Sequence, residues 1–426
     1  MIHMNNKIIA AVVVIVIAIA GVGAVILINN DSSASDPVED KVRLKIYGNA
    51  DDNDTIDEQD LAMLEKIIAG EEDSREHLYA DANQDGLIDQ KDIDWVKEMI
   101  DKKPMKIYYK NARDEIKSVN YPVENIVVVG TNVLAMVKAI GGSEKILGIQ
   151  GGDLDSVLYS DLIDLPRISD SAFKADFELV SKLDGVQAII TQDSASYLEN
   201  EKEFTNTGKI EVIRVAASDG LDTISGALTL GYLLNLEERA EAYAKFTDDI
   251  INYIDSKVGK GILADADRVT SISVTMTNYV GGTISDYYAA TELAGSKNIA
   301  DWNTTTQKFD LGQEWLLKYD PDFIIHARSI GYGPIDVQKV WNTYSQYFKD
   351  MGAYKDGNYF ILNGNMPVGL RIAYMAQIFY PEIFGEDYGE KLHQQYIDTF
   401  VDNLHEANYD VTKDGVFLIT SSMIAN

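Results

Sequence analysis

The 426-residue chain contains no cysteine. That excludes disulfides, thiolate metal sites, iron–sulfur ligation, cysteine nucleophiles and a lipid-bearing N-terminal cysteine, so stability must come from apolar cores and bound ions. Histidine is scarce. Only His3, His77, His326, His393 and His405 occur, widely spaced, which argues against a multi-histidine zinc or manganese site and against histidine catalysis. Positive charge is also scarce, with 37 basic against 68 acidic side chains and a net charge of -31. Such a surface repels phosphates and anionic lipid, so no nucleic-acid partner is expected. Nucleotide signatures are missing as well: Gly130, in Val-Gly-Thr-Asn, belongs to neither GxGxxG nor GxxxxGK[ST], and no GxSxG elbow is present. No catalytic residue is therefore assigned, and the chain reads as a non-enzyme.

What is present starts with an apolar run, Ile8 to Ile28, 21 residues without a charge, amide or hydroxyl. As a helix it would span about 31 Å, the thickness of a hydrocarbon core. Lys7 precedes it and the Asn29-Asn30-Asp31 flank follows, an orientation that faces the rest of the chain outward. Residues 1–30 are thus expected to be a membrane anchor or signal, with retention as a transmembrane helix favoured by the length of the run. Residues 31–43 form an acidic linker.

A repeat follows. Asn49, Asp51, Asn53, Thr55, Asp57 and Asp60 recur 32 residues later as Asp81, Asn83, Asp85, Leu87, Asp89 and Asp92. Oxygen side chains stand at loop positions 1, 3, 5, 9 and 12 of both copies, and position 7 offers its carbonyl, the donor set a hard cation such as Ca²⁺ requires. Each loop leads into an apolar helical pattern, Leu61, Leu64, Ile67 and Ile68 after the first, Ile93, Val96, Met99 and Ile100 after the second. Ile56 and Ile88 are placed to pair across a short strand. Residues 44–104 resemble a type I dockerin, whose duplicated loops end in Asp. The resemblance implies two Ca²⁺ ions and a cohesin-like partner read by positions 10 and 11, here Glu58, Gln59, Gln90 and Lys91. Asn49 replaces the usual Asp and Asp54 the usual Gly, so the first loop is expected to bind calcium more weakly.

From Pro104 onward strand and helix signals alternate. Strands are expected at Ile126–Val129, Ile146–Ile149, Ala188–Thr191, Val212–Val215, Ser271–Thr275, Phe323–His326 and Tyr359–Leu362. Asp176 reads as an N-cap, and Asn235 with Glu238 as a capping box opening a helix to Val258. That helix, 236–259, divides an N-lobe (105–235) from a C-lobe (260–426). The predicted class is α/β, two doubly wound lobes joined by one long helix, with ligand at the carboxyl ends of the strands.

Four stretches come in this order about the helix: Val123–Val129 with Ala139–Gly148, Phe177–Thr191, Leu230–Ala240 and Glu292–Ala300, and a fifth runs from Tyr359 to Phe384. Residues 105–426 resemble the iron-siderophore and cobalamin class of ABC-transporter substrate-binding proteins. The resemblance implies an extracytoplasmic protein that captures an iron-siderophore or similar metal chelate and delivers it to an ABC permease. Corrinoid, haem and oxyanions are the other ligands considered. Arg328 and Arg371 are candidate cations for the ligand, His326 a candidate metal contact, and Tyr279, Tyr288 and Tyr332, with Tyr287 among them, candidate aromatic walls. Permease docking is implied for Glu292 on the C-lobe and for Glu199 or Glu201 on the N-lobe. The competing function is a cell-surface scaffold or adhesion protein that recruits a cohesin-like partner.

Overall fold

The computed structural model describes residues 14–19, 22–27, 42–152, 154–218, 220–276, 279–283, 285–302, 308–310 and 313–424. The predicted anchor and the acidic linker lie largely outside these residues. Where the apolar run is described, it is an antiparallel strand pair, Val14–Ile19 against Val22–Leu27, in place of the expected helix. The two segments are rich in β-branched Val and Ile, which pack well on a pleated surface and lose side-chain freedom in a helix. Among the described residues no helix is long and apolar enough to cross a membrane.

The calcium-loop repeat folds as loop–helix twice. Asp57 caps the helix Glu58–Ala69 and Asp89 caps Gln90–Ile100, each in a reciprocal box with the carboxylate three residues on, Asp60 or Asp92. Ile56 and Ile88 lie in no strand, since the loops pass directly into their helices. A hairpin of Met105–Lys110 and Ile116–Tyr121 then ties the module to the lobes. Ile46 bridges Tyr109, and the N–H of Ala112 donates to the Arg214 carbonyl at the N-lobe sheet edge.

All seven strands expected from apolar patterning are present. The N-lobe sheet is wholly parallel, in the order Arg167–Ser169, Ile146–Gln150, Ile126–Val129, Ala188–Gln192, Glu211–Val215. Its central strand is buried along its whole length, as a sheet covered on both faces requires. In the C-lobe, Thr270–Thr275, Phe323–Arg328 and Tyr359–Asn363 run parallel, flanked by antiparallel Tyr279–Gly281, Lys308–Asp310 and Leu418–Ile419. The connecting helix is Glu237–Val258, burying Ala240, Tyr243, Phe246, Ile250 and Ile254. Its N-cap is Leu236 and no side chain caps it. Asn235 takes a left-handed φ of 56° and accepts from the Tyr121 hydroxyl, which occupies the oxygen expected for the capping box.

Candidate ligand cleft and calcium loops

The N-lobe strands end in loops that face the C-lobe. Gly130, at φ 119°, lets the helix Thr131–Ala139 begin directly after its strand, and a Cβ there would lie 3.6 Å from the Tyr197 ring. Gln192 leaves the neighbouring strand and donates to the Ser218 hydroxyl at 3.3 Å. Across the gap, Arg371 stands one turn into Val368–Phe379 and is 1% exposed. Its guanidinium lies 3.3 Å from Asp286, donates to the Ser218 carbonyl of the opposite lobe at 3.2 Å, and sits 4.8 Å over the Tyr287 ring. Burial disfavours the Arg371 charge, but Tyr287 and Asp286 outweigh it and hold the guanidinium protonated. Its Nε has no hydrogen-bond partner among the described residues. Burial, together with the Asp286 and Asp193 carboxylates, raises the Tyr197 hydroxyl. Arg371, Asp286, Tyr287, Tyr197 and Ser218 therefore meet where the lobes face each other.

A second link between the lobes stands on Asp155. One carboxylate oxygen accepts from the N–H groups of Val157 and Leu158, and the other accepts from the Tyr332 N–H of the C-lobe at 2.7 Å. Gly331 permits this approach, because a Cβ there would meet the Asp155 oxygen at 2.6 Å.

Two of the expected ligand residues lie in the core. His326 is fully buried between the Tyr359 hydroxyl (2.7 Å) and the Met276 carbonyl (2.5 Å), and burial pushes its pKa down to about 4. Tyr332 is fully buried, its hydroxyl 3.1 Å from His393 and its carbonyl accepting from Tyr409. Both side chains complete hydrogen-bond networks within the C-lobe. Tyr288 packs against the second C-lobe core, while Tyr287, its neighbour on the helix Asp286–Leu293, turns to Arg371. Arg328 is partly buried and donates to the Tyr344 hydroxyl at 2.8 Å, its guanidinium 4.1 Å over that ring. Tyr279 is 38% exposed on an antiparallel strand of the C-lobe sheet.

The acidic residues expected at a permease separate clearly. Glu292 is engaged within the C-lobe, accepting from the Asn298 N–H at 2.6 Å and pairing with Arg268 at 3.3 Å. Glu201 pairs with the buried Arg214 at 2.7 Å. Glu199 is exposed.

In the calcium loops, Asp51, Asn53, Asp81, Asn83 and Asp85 accept backbone N–H groups two to five residues ahead, the curl that turns alternate side chains inward. Asp60 and Asp92 are fully buried. Burial and the Asp51 charge push Asp60 up to about 7, and burial also raises Asp92. The Asn49 side-chain oxygen is buried without a hydrogen-bond partner among the described residues. Buried carboxylates and an orphaned oxygen fit a cation-binding loop, although among the described residues no three carboxylate or histidine groups gather closely enough to hold a metal ion. Position 6 differs from expectation: Gly86 takes φ 87°, but the left-handed residue of the first loop is Asp52 (φ 62°), matched by Gln84 in the second, and Asp54 is not left-handed. Positions 10 and 11 of both loops are exposed.

The dockerin type I domain family matches residues 47–101. Among solved structures, the chain resembles the TroA-like periplasmic binding protein FepB of Veillonella parvula at 16% identity, covering 74% of this chain and 99% of that one, with a TM-score of 0.58. A periplasmic solute-binding protein of the same organism gives 21%, 72%, 97% and 0.56. The lobes have the periplasmic solute-binding fold. The molybdate periplasmic binding protein MolA of Haemophilus influenzae, with molybdate bound, shares it at 15% identity, covering 69% of this chain and 98% of that one, TM-score 0.55. No curated relative matches the chain by sequence. The lobes with this fold thus carry a dockerin-type module at their N-terminal side. Asp155, Tyr197 and Asp286 stand in the loops after predicted strands, where ligand was expected, whereas nothing in the sequence marked Ser218.

Proposed function

We propose that the chain is the extracytoplasmic substrate-binding component of an ABC importer, which captures an anionic metal chelate between its lobes and passes it unchanged to a permease. The observation that carries this reading is Arg371, a buried guanidinium at the meeting of the lobes with an unpartnered Nε. A buried arginine with an open donor supports a ligand offering carboxylate, hydroxamate, catecholate or oxyanion oxygens, because charge-assisted bonds to such groups are strong and directional. Tyr287 and Tyr197 supply rings with polar tips for a large chelate, and an iron-siderophore is preferred on that account. Arg328, whose Nε is likewise unpartnered among the described residues, stands second to Arg371, because its guanidinium meets Tyr344 of its own lobe whereas Arg371 reaches the opposite lobe at Ser218. The uninterrupted helix Glu237–Val258 supports a small rocking closure, with no glycine or proline inside it to bend.

Glu199 is the N-lobe residue offered to the permease. The dockerin-type module takes two Ca²⁺ ions through Asn49, Asp51, Asn53, Thr55, Asp57 and Asp60, and through Asp81, Asn83, Asp85, Leu87, Asp89 and Asp92. Bound calcium would neutralise the buried carboxylates of each loop. The test is fluorescence titration with ferric siderophores, cyanocobalamin, haem and molybdate. Saturable binding of a chelate, weakened by Arg371→Ala, supports the reading, and turnover of any of them contradicts it.

A further inference from the structure

The first calcium loop is bound to the lobes, while the second bonds within its own module. Asp54, at the position that glycine holds in the second loop, accepts from Arg43 Nε at 3.0 Å, and Arg43 Nη1 lies 3.1 Å from Asp248 on the connecting helix. Asp54, Thr55, Ile56 and Asp57 face Tyr232, Glu237 and Glu241 across a shared cavity of about 260 Å³. The buried Tyr232 hydroxyl there has no hydrogen-bond partner among the described residues. Lys102, just beyond the second helix, pairs with Glu237 and lies 4.5 Å over the Tyr232 ring, and the Lys45 N–H donates to Thr229 at 3.2 Å. Beneath these polar contacts, Leu44, Ile46, Ile56 and Leu64 share one apolar core with Tyr232 and Ala240. In the second loop, Asp81 accepts from Gly86 and Lys91 pairs with Asp85.

We propose that the first loop is an internal clamp, in which a calcium ion held by Asn49–Asp60 fixes Asp54 against Arg43 and Asp248, so that the connecting helix of the lobes responds to calcium. This rests on the reading that the loop binds calcium. An ion that sets the curl of the loop also sets where its position-6 carboxylate stands, and a two-residue ion bridge on a shared core transmits that placement to the helix. The substitution that distinguishes the first loop, Asp54 for glycine, is the residue the clamp requires.

Hydrogen–deuterium exchange on the full chain, with Ca²⁺ or chelator, reads the amides of Glu237–Val258, and calorimetry counts the bound ions. The clamp predicts that calcium slows exchange in this helix by about threefold or more. Asp54→Gly should still bind calcium yet lose most of that response, and Asp248→Asn, outside the loop, should do the same. A helix indifferent to calcium while two ions bind, or an undiminished response in both variants, would overturn the clamp. Failure of the wild-type chain to bind calcium at the first loop would instead overturn the calcium reading on which it stands.

Discussion

The two lobes bring different chemistry to the place where they meet. The N-lobe offers a main-chain carbonyl at Ser218, the Tyr197 hydroxyl and the Asp155 carboxylate, whereas the C-lobe brings a buried cation, Arg371, held by Asp286 and Tyr287. The lobes also differ beneath the cleft: the C-lobe buries His326 and His393, while the N-lobe sequence, 105–235, holds no histidine. This division places the buried cation in one lobe and acceptor oxygens facing it in the other, an asymmetry that a symmetric picture of two α/β halves conceals.

Removing the cation tests the asymmetry most severely. Arg371→Ala should weaken chelate binding about thirtyfold or more, because truncating a buried charge costs about 2–5 kcal/mol and leaves its partner exposed to desolvation. An effect below threefold in a titration would place ligand charge elsewhere.

Acid should then separate the lobes. Burial lowers His326 to about 4 and His393 to about 3. A histidine depressed in the folded state stabilises it above the unfolded value near 6.5, and that contribution is lost as pH falls from there toward the folded values. At roughly 1.4 kcal/mol per pH unit for each ring, the C-lobe should weaken by several kcal/mol between about pH 6.5 and 4. Peptide-resolved hydrogen exchange should show C-lobe amides losing protection first on acidification, and earlier loss in the N-lobe would break the comparison.

The closing side is expected to matter less. Asp155→Ala removes the bond to the Tyr332 N–H and should speed ligand release several-fold, through a loss of about 1–2 kcal/mol. Stopped-flow dissociation checks this, and an unchanged rate would show that the Asp155 bond does not hold the closed state. The smallest effect on binding is expected from Glu199→Lys, which should leave chelate affinity within twofold while reducing uptake in a reconstituted transporter. Normal uptake would return Glu199 to ordinary surface charge.

The strands that build the lobes were legible because continuous Val and Ile runs such as Ile126–Val129 have no stable place except a covered parallel sheet. The dockerin-type module was legible because its duplicated loop–helix spacing repeats in register. Cleft residues were harder. Asp286 and Ser218 are ordinary polar residues until tertiary packing brings them to Arg371, 85 and 153 positions away. Tyr332 and His326 stand in or next to strand-end loops, but their polar tips reach inward to His393, Tyr359 and Met276, the structural role that a lone histidine at a strand end more often plays. The first loop misled through its analogy with the second, since the seam with the connecting helix gives Asp54 a partner that a duplicated loop by itself does not reveal.

The central claim, capture of an anionic chelate between the lobes without chemistry, is tested most directly by native mass spectrometry of the full chain offered ferric siderophores, cyanocobalamin, haem and molybdate together. The account predicts a complex of one chelate per chain, released intact on denaturation and lost in Arg371→Ala. A chain that retains none of these compounds, or that returns one chemically altered, would contradict it.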